Sequence, residues 1–370
     1  MSLLFWCCLV ITAYAYFGYP VALSLLPRRP FQPGEAATIA PTVSIIIAAR
    51  NEAANLPRKL ENLRRLDYPA DRLQIVIASD ASTDDTAGFL LTHASSLTPV
   101  ILMQSAGKAG ALNAAVAAAT GEFLVFLDVR QTVEPEAVTE LLRPFSDPAV
   151  GAVSGELLLD QDPGSNAPEG LGIYWKIEKL IRRLESRTGS VVGVTGAIYA
   201  LRRSLYEDVP AFTLLDDVYI PMQAAHAGYR VLFQPTAIAR DRLFVEKGKE
   251  FSRKVRTLTG NYQLLRTAPW LLSGANPLLF RFISHKLLRL TVPFLLVIML
   301  LASAMAHSTL YRGIFAAQIL FYILAACGLA FEKARTLKPI AIASTFVMLN
   351  TAAALAFYNF VAGRDRVWVR

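Results

Sequence analysis

The sequence predicts an α/β domain built on a parallel sheet and attached to a membrane by apolar helices. Two patterns carry that prediction. Three short apolar runs each end in polar residues: Val43-Ser-Ile-Ile-Ile-Ala-Ala-Arg50-Asn51-Glu52, Leu73-Gln-Ile-Val-Ile-Ala-Ser79-Asp80 and Phe123-Leu-Val-Phe-Leu-Asp128-Val-Arg130. Such β-branched runs, separated by helical stretches, read as buried parallel strands. Ligands of an open α/β sheet bind beyond the carboxyl ends of the strands, so Asp80 and Asp128 point into one crevice beside the Arg50-Asn51-Glu52 turn. The second pattern is a set of nearly uncharged stretches, 3–26, 290–306, 313–331 and 339–362, read as candidate bilayer spans.

Composition agrees with this division. Hydrophobic residues make up 54% of the 370 residues and mean hydropathy is +0.39, too apolar for an ordinary soluble enzyme. Net charge is +8. Basic residues concentrate in 240–290, with eleven Lys/Arg against three Asp/Glu. No aromatic-and-basic motif accompanies them, which points to a headgroup-facing surface rather than nucleic acid. Cys7, Cys8 and Cys327 all lie in apolar segments and have neither metal-ligand nor disulfide spacing.

The elements follow in order. Residues 1–26 form an N-terminal anchor. Ala13-Tyr-Ala15 has a small-x-small look suited to cleavage, but no basic residue precedes the apolar run, while Arg28 and Arg29 follow it. That charge order favours an uncleaved anchor with a cytoplasmic main domain. Residues 27–41 are a Pro/Gly linker, 42–240 one α/β domain, 241–284 a basic interfacial segment, and 285–370 a C-terminal region of about three spanning helices. Within the domain, 55–65, 86–94, 109–120 and 135–142 read as helices. Residues 174–187 read as an amphipathic helix whose stripe is Ile173, Ile177, Leu180, Ile181 and Leu184. Four spans would put the tail, with Arg364, Arg366 and Arg370, outside, against the positive-inside rule; whether the last segment crosses is left open. His93, His226, His285 and His307 form no cluster and read as cap, core or interface residues.

Several segments carry candidate chemistry. The first strand delivers Ala49, Arg50 and Glu52 to the crevice edge, where backbone groups and a carboxylate can hydrogen-bond a base and ribose. In Gly107-Lys108-Ala-Gly110-Ala-Leu-Asn113, glycine permits close backbone approach and Lys108 can neutralise a phosphate. The spacing is not that of a P-loop. Asp128-Val-Arg130 offers one carboxylate for Mg2+ or Mn2+ with phosphate oxygens and water, and a guanidinium able to pair with a diphosphate. Thr195-Gly196-Ala197 is a small-residue loop, and Asp216-Asp217 is a pair of adjacent carboxylates. Arg253 and Arg256 could steady a leaving diphosphate or simply form a basic membrane-surface helix.

Taken together in this order, these motifs resemble the membrane-bound glycosyltransferase family 2, which includes cellulose, hyaluronan and poly-N-acetylglucosamine synthases, over roughly residues 41–290. The resemblance implies a GT-A, Rossmann-like nucleotide-diphospho-sugar transferase fold plus transmembrane helices. It implies nucleotide binding at Ala49, Arg50 and Glu52, base contact at Asp80, and a donor site at Lys108, Gly110 and Asn113. It places a divalent cation on Asp128, the acceptor near Thr195, Gly196 and Ala197, and the general base at Asp217 with Asp216 in support. The chain departs from the family in two places. Arg130 replaces the second Asp of Asp-x-Asp, which weakens the expected metal site. Arg253 and Thr257 replace the Gln and Trp of Gln-x-x-Arg-Trp, which removes a stacking platform for the acceptor sugar.

The expected function is inverting sugar transfer from a nucleotide sugar, UDP-linked by resemblance, to a lipid-linked or polysaccharide acceptor at the plasma membrane, in surface-polysaccharide assembly. Two alternatives stay open: a processive synthase that exports its product, and an inactive nucleotide-binding scaffold. Membrane lipids are expected partners, and a homo-oligomer or synthesis complex is left open.

Overall fold

In the computed structural model, which describes residues 1–31, 40–160, 169–242 and 249–364, the three apolar runs lie side by side as strands. They are β1 (Val43–Ala49), β2 (Leu73–Asp80) and β4 (Phe123–Leu127); the remaining strands are β3 (Thr98–Leu102), β5 (Thr132–Val133), β6 (Val150–Asp160), β7 (Ile198–Arg202) and β8 (Arg230–Arg242). The sheet order is β3-β2-β1-β4-β7-β6-β8-β5. β3, β2, β1 and β4 run parallel. β7 is antiparallel to β4 and β6, and β8 runs parallel to β6. The parallel half is the one the apolar runs predict; in the other half β6 and β8 keep the direction of β4, and only β7 and the short β5 run against it.

Both faces of β1 are buried: Ile45 and Ile47 join one core, Ile46 the other. This is why the run is apolar throughout rather than alternating. Ala49 lies opposite Ser79 in register, so the chain leaves β1 and β2 at one level and Arg50 comes beside Asp80.

Helix boundaries shift in ways that matter. The Gly107–Ala117 helix starts two residues before the expected 109, so Lys108 sits in its first turn. The expected 135–142 helix narrows to Ala137–Leu142. In the Glu169–Thr188 helix Ile177, Ile181 and Leu184 of the expected stripe pack against Tyr19 and Leu23, but Leu180 is exposed, and Glu178 and Glu185 share the inward face. His285 and Arg289, from a later helix, are their partners. Ile173 lies among side chains outside those described.

Among the described residues, four helices are long and apolar enough to cross a membrane: Ser2–Leu25, Leu279–Ala304, Thr309–Ala330 and Lys338–Val361. The second begins at Leu279, ahead of the expected boundary at 285. Phe5 and Cys8 pack on Met299 and Ala302, while Val10, Phe17, Leu301 and Leu320 stay exposed, as apolar side chains facing lipid would. The Lys249–Thr267 helix lies within the expected interfacial segment and joins the two parts. Tyr262 stacks against Phe360 of the last apolar helix, and the buried Gln263 faces the globular domain. Most of the linker (32–39), residues 243–248 and the tail with Arg366 and Arg370 lie outside the described residues.

Candidate active site

The crevice forms where β1, β2 and β4 end. Three non-glycine residues there adopt left-handed backbone: Asn51, Ala81 and Phe212, with φ of 53°, 46° and 62°. Such strain persists only where the surroundings enforce it, and it gathers at functional sites. Here the enforcement is visible. Asn51 N–H donates to Ser82 Oγ (3.0 Å), Thr83 N–H to Asn51 Oδ1 (2.6 Å) and Glu52 N–H to Thr86 Oγ1 (2.8 Å). The turns after β1 and β2 are thus laced into one rim.

Asp80 is fully buried, and its carboxylate is engaged within the protein. Oδ1 accepts from Ala106 N–H at 2.7 Å, and Oδ2 from Ser105 Oγ at 2.8 Å and Arg50 Nη1 at 3.4 Å. It fixes the turn that launches the Gly107 helix, so the groups it offers the crevice are Arg50 and Ser105. Asn113 is likewise engaged within the protein: its Nδ2 donates to Val209 O (2.9 Å) and its Oδ1 accepts from Tyr206 Oη (2.7 Å) and Val209 N–H (2.9 Å). The Ala49 side chain is buried, leaving its backbone at the rim, while Glu52 accepts from Asn55 Nδ2 at 2.6 Å.

Lys108 is the electrostatic centre. Its Nζ lies 3.2 Å from Asp128 Oδ1 and 3.2 Å from Asp216 Oδ2. Burial pulls its pKa down, but Asp128, Asp216 and Asp217 outweigh burial and hold it above the ordinary lysine value. The first-turn N–H groups of an eleven-residue helix share this end, and they lack intrahelical acceptors. Cation and helix N-terminus together suit a phosphate group. Gly107, at φ 74°, packs against the Phe212 ring, and Gly110 follows in the same helix.

The Asp128 loop is held from below. Arg58 Nη2 donates to Arg130 O (2.6 Å) and Lys59 Nζ to Gln131 O (2.9 Å). Lys59 is buried, which pushes its pKa down to about 7 despite the pull of Asp128. Arg130 is ion-paired to the buried Asp241 of β8, so its guanidinium is shared with the protein. Asp128 keeps 36% of its side chain exposed. Among the described residues no group of three His, Cys, Asp or Glu could hold a metal ion. Mg2+ and Mn2+ sites on nucleotides often need only one or two carboxylates, with phosphate and water supplying the rest. Asp128 fits that role alone.

Asp217 lies in the first turn of the Asp216–His226 helix. Its backbone carbonyl accepts from Val194 N–H (2.8 Å), and a Cβ on Gly196 would lie 3.4 Å from its Oδ2. The Thr195-Gly196-Ala197 loop therefore lies directly against the carboxylate. Burial and then Asp216 raise its pKa to about 6, while Lys108, Lys286 and Arg182 pull the other way. Tyr199, stacked on Phe126 at 4.5 Å, is buried close enough to the three aspartates to feel their charge. Burial and those carboxylates hold its pKa far up, so it remains a neutral O–H donor.

Two supporting residues were not singled out in the sequence. Gln263 Oε1 accepts from Leu214 N–H (2.8 Å) and its Nε2 donates to Phe212 O (3.0 Å). A Cβ on Gly260 would meet Leu215 Cγ at 2.6 Å. The Lys249 helix thus presses onto the segment that carries Asp216 and Asp217. Gly260→Val is expected to displace that segment and lower turnover by about 10-fold or more, since small misplacements of reacting groups are costly. Unchanged turnover in the folded variant would show that the contact is dispensable. On the same helix Arg253 is exposed and Arg256 half-buried.

Residues 44–209 match the family Glycosyl transferase family 2. Poly-beta-1,6-N-acetyl-D-glucosamine synthase of Staphylococcus aureus (strain COL) is 24% identical over 263 residues, covering 70% of this chain. The chain spans 62% of the length of that synthase. Probable glycosyltransferase YdaM of Bacillus subtilis (strain 168) is 28% identical over 214 residues, 54% of this chain and 50% of that protein. Mannosyltransferase PcManGT from Pyrobaculum calidifontis, solved with GDP-Man and Mn2+, superimposes with a TM-score of 0.70 at 24% identity, covering 98% of this chain and 99% of that one. The architecture is therefore the Rossmann-like GT-A fold with attached apolar helices.

Proposed function

The chain carries a glycosyl transferase family 2 domain, and from that premise we propose that it transfers a sugar from a nucleotide-sugar donor, UDP-linked, to a lipid-linked acceptor with inversion at the anomeric carbon. The observation that carries this reading is the single cluster of Lys108, Asp128, Asp216 and Asp217 beneath the strand ends. Residues 42–240 are the catalytic unit, and 285–370 with the N-terminal anchor hold it at the cytoplasmic face of the membrane. A lipid-linked acceptor is favoured over a growing polysaccharide because Thr257 stands where processive relatives carry a stacking Trp.

In this mechanism the donor diphosphate lies over the first turn of the Gly107 helix, against Lys108, with Arg50 and Ser105 lining the nucleotide end. Asp217 receives the acceptor hydroxyl proton as the oxygen forms its bond to the anomeric carbon. The bond from that carbon to the diphosphate breaks on the opposite face, and the leaving group takes the electron pair. A divalent cation, when bound at Asp128, supplies positive charge to the departing phosphates. Lys108 supplies part of the same charge from the protein.

A screen of nucleotide sugars for nucleoside diphosphate release in the presence of lipid extract tests the reading. Product with retained anomeric configuration would exclude the direct displacement, and no release with any donor or metal would favour the scaffold. Asp128→Asn is expected to abolish the response of turnover to added Mg2+ or Mn2+. Wild-type turnover that is indifferent to excess chelator would show the metal to be dispensable.

A further inference from the structure

The first apolar helix after the catalytic domain, Leu279–Ala304, begins with polar residues buried against the Glu169–Thr188 helix. Its wider, π-helical turn Phe282–Leu287 rotates the side chains of this stretch. A second π-helical turn, Tyr14–Gly18, lies in the N-terminal helix, and the two touch through Tyr14 Oη and Ser284 Oγ at 3.0 Å. His285 sits between two carboxylates: Nδ1 is 2.9 Å from Glu185 Oε1 and Nε2 is 3.2 Å from Glu178 Oε2. Arg289 pairs with Glu178, and Tyr19 Oη donates to Glu185 at 2.6 Å. Burial would raise both glutamates, but Arg289 and His285 hold Glu178 well below its ordinary value, and His285 with Tyr19 lowers Glu185. Arg281 donates to the carbonyls of Glu185, Ser190 and Thr188.

These partners account for the glutamates, and they leave cation to spare. Among the described residues no hydrogen bond or ion pair engages the Lys286 ammonium, which lies within electrostatic reach of Glu178, Glu185 and Asp217. Arg182, from the facing helix, donates Nη1 to Thr195 Oγ1 at 2.9 Å, one residue from the Gly196 contact with Asp217. Arg182 therefore reaches the loop that lies against Asp217, and Lys286, on the helix packed against that of Arg182, adds its charge to the same carboxylate. Their place in the molecule indicates the source of the anion. Lys286 lies two turns, about 10 Å, from the start of a helix long and apolar enough to cross a membrane, and a lysine stem of that length can carry its ammonium out toward a headgroup.

We propose that Arg182 and Lys286 form an anion subsite for a phosphate-bearing lipid headgroup, so that the acceptor is a phospholipid-type carrier seated between the Glu169 and Leu279 helices with its nucleophilic oxygen at Asp217. This rests on Asp217 marking the acceptor end of the crevice. Two charge-assisted contacts supply the affinity, and the protonated headgroup oxygen or an attached sugar hydroxyl is the group that loses its proton.

The test is equilibrium binding with the full-length chain in maltoside micelles, which contain no phosphate. The probes are a long-chain isoprenyl monophosphate, the isoprenol of the same chain length, and inorganic phosphate. The monophosphate is expected to bind at least about tenfold more tightly than the alcohol. Lys286→Met and Arg182→Gln should each erase most of that difference, and Lys286→Arg should keep it. Asp217→Asn should tighten monophosphate binding, because it removes a negative charge beside the subsite. Equal binding of monophosphate and alcohol, or Lys286→Met indistinguishable from wild type, would overturn the subsite. Inorganic phosphate competing at concentrations equal to the lipid would overturn the lipid source. None of these readouts involves turnover, so failure here leaves the role of Asp217 as base to be judged separately.

Discussion

In Asp217→Asn, sugar transfer is expected to fall by about 10²–10⁴-fold, while the protein becomes more resistant to heat at neutral pH. The first effect follows from chemistry. An amide cannot take the acceptor proton, and the other carboxylate within reach, Asp216, is bonded to Lys108 at 3.2 Å and is not placed for the task. The second follows from linkage. The folded-state pKa of Asp217 lies near 6, above the ordinary carboxylate value, because burial and Asp216 disfavour its charge. The native state therefore holds this proton more tightly than the unfolded chain does. Stability falls as pH rises through that pKa, and the ionised group is a net cost at neutral pH. Asparagine removes the cost. A melting curve and a turnover assay on the same sample check both outcomes. Undiminished turnover would remove Asp217 as the base, and lowered heat resistance would contradict the linkage argument.

The same pKa predicts the acid limb of the wild-type profile. As the proposed base, Asp217 must be ionised to act, so turnover should rise through about pH 6 and be lost below it. An ordinary aspartate would place this limb about two pH units lower. The loop 194–197 and the helix contact at Gly260 help to bury this segment, against the downward pull of Lys108, Lys286 and Arg182, and none of these is local in sequence.

The strands that make the crevice were readable because burial on both faces forces a continuous β-branched run, and β1, β2 and β4 have one. β6 and β8 were not singled out, since their position depends on pairing with β7 and with each other across intervening chain. Among site residues, Lys108, Asp128, Asp216 and Asp217 are brought together as the motifs implied. Asp80 and Asn113, expected at the donor site, also hold the 105–106 turn and the 206–209 loop, a long-range role that residue type does not reveal. Glu178 and Glu185 were not legible in the helix pattern. A helix stripe of apolar residues appeared to exclude them, but His285 and Arg289, about 100 residues later, make their burial tolerable. The signal that existed was their seven-residue spacing around Ile181, which puts all three on one face.

Lys108→Met tests the electrostatics of the donor end most directly. The methionine keeps most of the volume but removes the cation shared by Asp128 and Asp216. Three carboxylates would then face one another with less countercharge, so Asp217, which Lys108 now pulls down, should climb above its present value near 6. The acid limb should move to higher pH. Loss of a preorganised cation at the departing diphosphate should also cost about 10²–10³-fold in turnover. A third consequence separates this account from simple damage. Lys108 competes with any divalent cation for Asp128, so the variant should bind Mn2+ more tightly and respond to it at lower concentration, even though its maximal rate is reduced. Metal titrations of wild type and variant, read by binding as well as by turnover, decide the point. Weaker Mn2+ binding in Lys108→Met would mean that the ammonium organises the carboxylate rather than competing for it.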